Sequence, residues 1–363
     1  MLGTIFGDIC GSVYEFHPVE SYQFPLLTDK SKFTDDTVLT LAVADALMND
    51  KDIAQTLKDY AREYVLRGYG LRFNDWVWDE KSEPYWSFGN GSAMRVSSVG
   101  YLYDTIEDVL DYAQKSAEVT HNHNEGIKGA QATALAIFLA RSHASKEDIK
   151  YEIEARFGYD LSKSLAEIEK TYRFNETCQG SVPEAIVAFL ESEDYESAIR
   201  NAIWLKGDAD TQACIVGGIA EAFYGDIPES FKEKVYESLP QEMLKIIEQF
   251  YTYMNFKNSF SYEEFKLLER NFHELIHKRV VEDFAFVDLS NIKMPILKIP
   301  FNNICASQYI GIEGMYGGFK YTLDNSEGVL KLMVESWSRI IGGSGKKHIV
   351  TTEGSLCVAI NTI

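Results

Sequence analysis

The sequence predicts a mainly α protein, an all-α globule over residues 1–255 followed by a small α+β module over residues 256–363. Three observations predict this. The first part is dominated by Ala- and Leu-rich stretches with little strand-like alternation. The second part carries prolines, Gly-rich turns and short β-prone runs. The charge balance also steps near the same place. Residues 258–363 hold 11 basic and 12 acidic side chains, whereas the rest hold 24 and 43, which accounts for −19 of the chain's net −20.

Thr37 to Met48 places apolar residues on more than one face, the pattern of a buried helix. Gly126 to Ala140 reads the same way, with small residues that permit close helix packing. Val182 to Leu190 follows Ser181 and carries Pro183 where a first helical turn would lie. Thr211 to Tyr224 is a further buried helix, which Gly225 stops. Beyond Tyr253–Asn255 the pattern changes. Ser261 to Val281 reads as one amphipathic helix. Pro295, Pro300 and glycines at 311, 314, 317, 318, 342 and 343 then separate β-prone runs such as Phe319–Leu323, His348–Thr351 and Leu356–Ile360.

Composition excludes several classes. Of the 363 residues, 45% are apolar and 25% charged, as in ordinary soluble proteins. No apolar run approaches the roughly 20 residues that span a bilayer, so no membrane association is expected. Met1 to Asp8 lacks the basic and apolar regions of a signal peptide. The five cysteines are odd in number, scattered and without a CxxC pair. They read as reduced thiols in a cytoplasmic protein. A net charge of −20 repels phosphate backbones, so non-specific nucleic-acid binding is not expected.

Two segments carry the chemistry. Thr34-Asp35-Asp36-Thr37 sets two adjacent carboxylates before an apolar helix. Alone, these can be a helix cap and first-turn acids, worth under about 1 kcal/mol each, or oxygen ligands for a hard cation with the Thr34 hydroxyl. Gly207-Asp208-Ala209-Asp210-Thr211 repeats the build before a second buried helix. If the two helix starts converge, four like charges meet, which is costly unless cations neutralise them. Oxygen-only donors favour Mg²⁺ or Mn²⁺ over Zn²⁺, and two ions roughly 3.5–4 Å apart could share bridging carboxylates. Ser87 to Arg95 is a Gly-rich turn entering a helix, where free backbone amides can hold a phosphate or simply form a loop. His121 and His123 could ligate a metal, contact a ligand or cap the helix that follows. Trp76, Trp78 and Trp86 could stack on an adenine or pack as core and rim.

The order of these segments resembles the ADP-ribosylglycohydrolase family. Gly7 to Phe16 resembles its opening GDxxGxxxE block, and Phe33–Thr37 its TDDT block. Gly89–Arg95 matches GNGSAMR, and Thr120-His121 with Gly126 its histidine block. Gly207–Thr211, followed by Gly217-Gly218 and Tyr224-Gly225, matches GDxDT. The resemblance covers about residues 1–255. It implies an all-α globule with two Mg²⁺ (or Mn²⁺) ions held by Thr34, Asp35, Asp36, Asp208, Asp210 and Thr211. Glu15, Asp35 and Asp36 would be the catalytic acids, with Glu15 at the metal edge. Gly89, Asn90, Gly91, Ser92, Ala93 and Met94 would hold the diphosphate and ribose, and His121 would contact the ligand. Ala209 stands where many relatives carry Ser or Thr. Some relatives employ a further acid on a mobile loop, for which Asp75, Asp79 and Glu80 are candidates.

The resemblance implies hydrolysis of the glycosidic bond at the distal ribose of an ADP-ribosylated protein, releasing ADP-ribose. The alternatives are a hydrolase of free ADP-ribose derivatives or another nucleotide-linked glycoside, and a catalytically idle ADP-ribose-binding protein. The C-terminal module would recruit a substrate or partner. Two other motifs are weaker. His273–His277 fits HExxH, but Lys278 follows it and the segment reads equally as an amphipathic helix. Gly342 to Lys347 lacks the glycine and hydroxyl of a phosphate loop.

Overall fold

In a computed structural model of the chain, the described residues are 1–81, 83–225, 227–258 and five strands between 309 and 359, with side chains described up to residue 254. The chain divides into two compact units, Met1–Ile247 and Glu248–Ile363. The described residues up to 258 form α1 (Leu2–Gly11), α2 (Asp35–Met48), α3 (Ile53–Glu63), α4 (Leu71–Trp78) and α5 (Gly91–Met94). They continue with α6 (Ser97–Leu102), α7 (Ile106–Glu118), α8 (Asn124–Arg141), α9 (Lys146–Phe157) and α10 (Leu165–Thr171). The last five are α11 (Cys178–Leu190), α12 (Tyr195–Trp204), α13 (Ala209–Tyr224), α14 (Glu229–Ser238) and α15 (Gln241–Asn258). The all-α expectation holds there.

The three helices expected to be buried all round are so. Along α2, α8 and α13 nearly every turn contributes buried residues on several faces. A helix apolar on all sides belongs inside a packed layer rather than on its surface. Leu39 and Val43 of α2 pack with Leu57, Phe73 and Trp76. Ala130 and Ala134 of α8 pack with Val99 of α6 and Val109 of α7. Gly225, with φ +75°, ends α13 in the left-handed region where a side chain is strained.

The element that sets the site is α1, which carries a stripe of small residues along one face. Gly3, Gly7 and Gly11 recur every fourth residue and so share one face. They lie against Gly217, Ala213 and Ala209 in that order, so α1 and α13 run antiparallel with their backbones in contact. A Cβ at Gly3 would stand 2.5 Å from the Gly217 carbonyl oxygen, and one at Gly7 or Gly11 would overlap the α13 backbone. The far end of α1 therefore meets the first turn of α13. Phe6, fully buried on another face of α1, stacks on Phe231 with ring centroids 4.2 Å apart.

One helix start differs from expectation. α11 begins at Cys178, a turn before Ser181, so Pro183 lies inside the helix. The added turn is tied down from outside: the Cys178 amide donates to the Phe88 carbonyl at 2.9 Å. Ser181 Oγ donates to the Thr177 carbonyl at 2.8 Å. The missing proline N–H removes one bond within the helix, and these contacts offset it.

In the second unit, the strands form one antiparallel sheet ordered β1 (Tyr309–Gly314), β2 (Gly317–Asp324), β3 (Leu330–Ser336), β4 (Lys346–Thr352) and β5 (Leu356–Ala359). Tyr321 pairs with Val334, and Val350 with Val358. The β-prone runs fall in β2, β4 and β5. The amphipathic helix expected over Ser261–Val281, the HExxH segment within it and the glycines at 342 and 343 lie outside the described residues.

Candidate active site

The antiparallel α1–α13 pair brings three chain segments to one place: Asp8 on α1, Thr34–Thr37 at the start of α2, and Asp208–Thr211 at the start of α13. Asp8 is fully buried and organises the α2 start. Its Oδ2 accepts the Thr34 amide at 2.9 Å and its Oδ1 accepts the Thr34 hydroxyl at 2.7 Å. The Thr37 amide donates to Oδ2 at 3.1 Å, and the Thr37 hydroxyl donates to the same oxygen. Thr34 caps α2, accepting the Asp36 amide at 3.2 Å. Because the hydroxyl proton is turned toward carboxylates, one lone pair of Thr34 Oγ1 stays uncommitted.

Carboxylate oxygens converge in two overlapping groups. Asp8, Asp36 and Asp210 form one, Glu15, Asp208 and Asp210 the other, with the oxygens of each group lying within 4.8 Å of one another. Asp210 belongs to both. Asp36 Oδ1 is buried with no hydrogen-bond partner among the described residues. Carboxylates this close require either protons or cations. The donors are all hard oxygens, so the set suits Mg²⁺ or Mn²⁺.

The electrostatics show the cost of the cluster without cations. Burial first, then the neighbouring carboxylates, push Asp35, Asp36 and Asp210 well above the usual carboxylate range. Burial raises Asp8 too, while the bonds from Thr34 and Thr37 pull it back. Asp208 is pushed up to about 6, chiefly by burial, against the bond it accepts from Asn90. Glu15 is half-buried and pushed up to about 8 by burial, Asp210 and Asp8, with Lys32 opposing. Asp35 stands at the edge. Its amide donates to the Arg67 carbonyl at 2.9 Å, and a Cβ at Gly68 would lie 3.0 Å from its Oδ1.

The Gly89–Met94 segment forms the neighbouring wall. Its start is wedged between two strands of chain: Asn90 N–H donates to the Glu176 carbonyl at 2.8 Å, and Gly89 bridges Thr177. Trp86 N–H donates to Asn122 Oδ1 at 2.7 Å. The Asn90 amide reaches into the acidic cluster and donates to Asp208 Oδ2 at 2.7 Å. Ser92 is buried and donates to the Gly126 carbonyl at 2.7 Å. Ala93 and Met94 are buried, and Met94 Sδ lies 3.9 Å from Thr211 Oγ1. The Gly91 and Ser92 amides find no acceptor among the described residues. They are the part of the segment free to receive one. His121 is buried beneath it, its Nε2 3.3 Å from where a Cβ at Gly91 would stand.

The structure therefore gathers Glu15, Asp36, Asp208 and Asp210 around Asp8, with the Thr34 hydroxyl bonded to Asp8 and Asp36. Asp35 stands beside them, Thr211 follows Asp210 with its hydroxyl against Met94, and the Gly89–Met94 segment and His121 adjoin. Asp75, Asp79 and Glu80 are exposed at the end of α4 and enter neither carboxylate group. His123 caps α8 through Nδ1, which accepts the Glu125 amide at 3.1 Å. Trp76 is core, whereas Trp78 and Trp86 are exposed. The residue that sequence reasoning missed is Asp8. Its signal was available as the aspartate of Gly7-Asp8 in the opening block, one turn before Ser12 and two before Glu15.

Among the described residues no helix is long and apolar enough to cross a membrane. Cys10, Cys178 and Cys214 are buried and free. Against known families, residues 1–259 match ADP-ribosylglycohydrolase. The chain is 28% identical to ADP-ribosylhydrolase ARH3 of Mus musculus over 315 residues, covering 64% of this chain and 85% of that one. It is 23% identical to ADP-ribosylarginine hydrolase Tri1 of Pseudomonas putida over 277 residues, covering 65% and 72%. A solved structure titled ADP-ribosylglycohydrolase-related protein complex superposes with a TM-score of 0.51 at 26% identity, covering 68% of this chain and 93% of that one.

Proposed function

The chain belongs to the ADP-ribosylglycohydrolase family, and from that premise we propose that it hydrolyses the glycosidic bond at the distal ribose of an ADP-ribosylated protein, releasing ADP-ribose. The observation that carries the reading is the pair of carboxylate groups sharing Asp210. An all-oxygen cluster of this kind has no evident use in a helical core, where each buried carboxylate is costly. The names of similar proteins, ADP-ribosylhydrolase and ADP-ribosylarginine hydrolase, support the substrate class.

Two divalent cations fit the donor set, with Thr34, Asp36, Asp208, Asp210 and Thr211 as holders and Asp35 at the rim. Mg²⁺ or Mn²⁺ so held would supply positive charge for ribose hydroxyls and a more acidic water. The chain's own residues do the rest. Asp8 turns the Thr34 proton away from the cleft, so that an oxygen lone pair rather than a hydrogen faces it. Asn90 holds Asp208 in place. The free Gly91 and Ser92 amides take acceptor oxygens of the diphosphate. Glycosidic cleavage at the distal ribose builds positive charge on its ring, which the flanking carboxylates stabilise. Glu15, whose carboxyl lies in one group with Asp208 and Asp210, can give a proton to the departing atom or, having lost it, take one from water.

The test is turnover on peptides carrying ADP-ribose on arginine, serine or glutamate, and on ADP-ribosylated DNA, each with and without Mg²⁺. Cation-dependent release of ADP-ribose from at least one peptide is expected. Binding of ADP-ribose without turnover of any of them would leave a binding protein instead. Deleting 258–363 tests recruitment by the C-terminal module, which predicts slower turnover of protein substrates and unchanged turnover of small ones.

A further inference from the structure

The protons of His121 can be assigned from its neighbours. Three fully or nearly fully buried side chains form a line. Arg95 Nη2 donates to Thr120 Oγ1 at 2.8 Å and to the Ser116 carbonyl at 2.8 Å. Thr120 Oγ1 lies 2.7 Å from His121 Nδ1. Arg95 and Thr120 are 0% exposed and His121 is 5% exposed.

A guanidinium has donors only, so Thr120 Oγ1 accepts from Arg95. The hydroxyl owns one proton. If His121 Nδ1 carried a hydrogen, that hydroxyl would accept twice, and its own proton would be left without an acceptor in a fully buried place. Leaving a buried donor unmade is the costly outcome. The hydroxyl proton therefore goes to Nδ1. A doubly protonated ring fails on the same count and also sets a second positive charge beside Arg95. Burial first, then Arg95 and Arg72, hold the His121 pKa well below the ordinary range. Tyr85, 6.1 Å from the ring by centroids, is the other titratable neighbour and is itself pushed up to about 12 by burial.

We infer that Arg95 and Thr120 are positioning residues that fix His121 as a neutral ring with its hydrogen on Nε2, aimed at an acceptor oxygen of the ligand held along Gly89–Gly91. The geometry supports the aim. Nε2 has no hydrogen-bond partner among the described residues, and it lies 3.3 Å and 3.5 Å from where Cβ atoms at Gly91 and Gly89 would be. Glycine at both positions keeps the path open. The relay makes His121 a donor, neither a metal ligand nor a proton carrier in turnover. The ligand part of the inference rests on the proposed function; the tautomer part does not.

The experiment is long-range ¹H–¹⁵N correlation on the full-length wild type, with His121 assigned by its absence in His121→Asn. The expected result is an unprotonated Nδ1 and a protonated Nε2, unchanged between about pH 5 and about pH 8 where a free histidine titrates. A hydrogen on Nδ1, or titration within that range, would overturn the relay. Thr120→Val removes the donor and Thr120→Ser keeps it. ADP-ribose affinity should fall about tenfold in the first and hold in the second. Equal losses in both would overturn the positioning role. The expected tautomer together with no ADP-ribose binding by wild type would overturn the substrate reading and leave the relay standing.

Discussion

Asp8 holds Thr34 at both ends, accepting its amide at 2.9 Å and its hydroxyl at 2.7 Å from a position 26 residues earlier. This contact joins α1 to the start of α2, and the close α1–α13 packing joins it to Asp210. The acidic centre is thus built on two helix starts set against α1, that of α2 by Asp8 and that of α13 by the glycine stripe.

Asp8→Asn should disturb that registration without emptying the core. An asparagine has one acceptor oxygen where Asp8 has two, and its NH₂ would face the Thr34 or Thr37 donors. We expect a native far-UV spectrum and Mg²⁺ affinity reduced about 10–100-fold, as for other groups that orient ligands. Calorimetry measures it, and undiminished affinity would show that Thr34 is held by other means.

The pH dependence of the cation-free protein has a definite sign. Glu15 is raised from 4.5 to about 8 and Asp208 from 3.8 to about 6, both chiefly by burial. Each binds its proton more tightly folded than unfolded, so stability is present at low pH and lost as pH rises through those windows. Urea midpoints should fall from about pH 5 to about pH 8 in EDTA and recover at the upper end with Mg²⁺. Glu15→Gln should flatten the upper part of the fall. A midpoint that rises over this range in EDTA would contradict the account.

Gly7→Ala tests the close helix pair. The added methyl overlaps the Ala213 carbonyl, so α1 must move from α13. A loss of about 1–3 kcal/mol is expected from urea unfolding, with weaker Mg²⁺ binding because the shift separates Asp8 from Asp210. A loss of stability with no loss of Mg²⁺ binding would separate the packing from the site.

Phe6→Ala is the matching control on another face of α1. It removes a fully buried ring stacked on Phe231. A cost of about 3–5 kcal/mol is expected. In whatever fraction remains folded, Mg²⁺ affinity should be retained, since no ligand packs on that ring.

Much of this was legible in the sequence, and the reasons differ by residue. The helices α2, α8 and α13 declare themselves by apolar residues on every face, and the starts of α2 and α13 carry the acids. Asp8 stands in the opening Gly7-Asp8 block, but a single aspartate in an apolar stretch does not show what it bonds. Its role lies in bonds to residues 26 and 29 positions away. Pro183 misled the start of α11, because the contact that extends the helix comes from Phe88, distant in sequence. Asn90 shows the same limit: the motif marks it as part of a ligand loop, while its bond to Asp208 depends on how α5 and α13 meet. The strands of the C-terminal module were readable from its β-prone runs and turns, but no chemistry was.

The centre sharing Asp210 is proposed to hold divalent cations and to cleave ADP-ribosyl linkages. Asp210→Ala tests it most directly, assayed with wild type for Mg²⁺ binding by calorimetry and for ADP-ribose release from modified peptides. A folded variant without detectable turnover and with at least one binding event lost is expected. Wild-type release by the pure variant would contradict it.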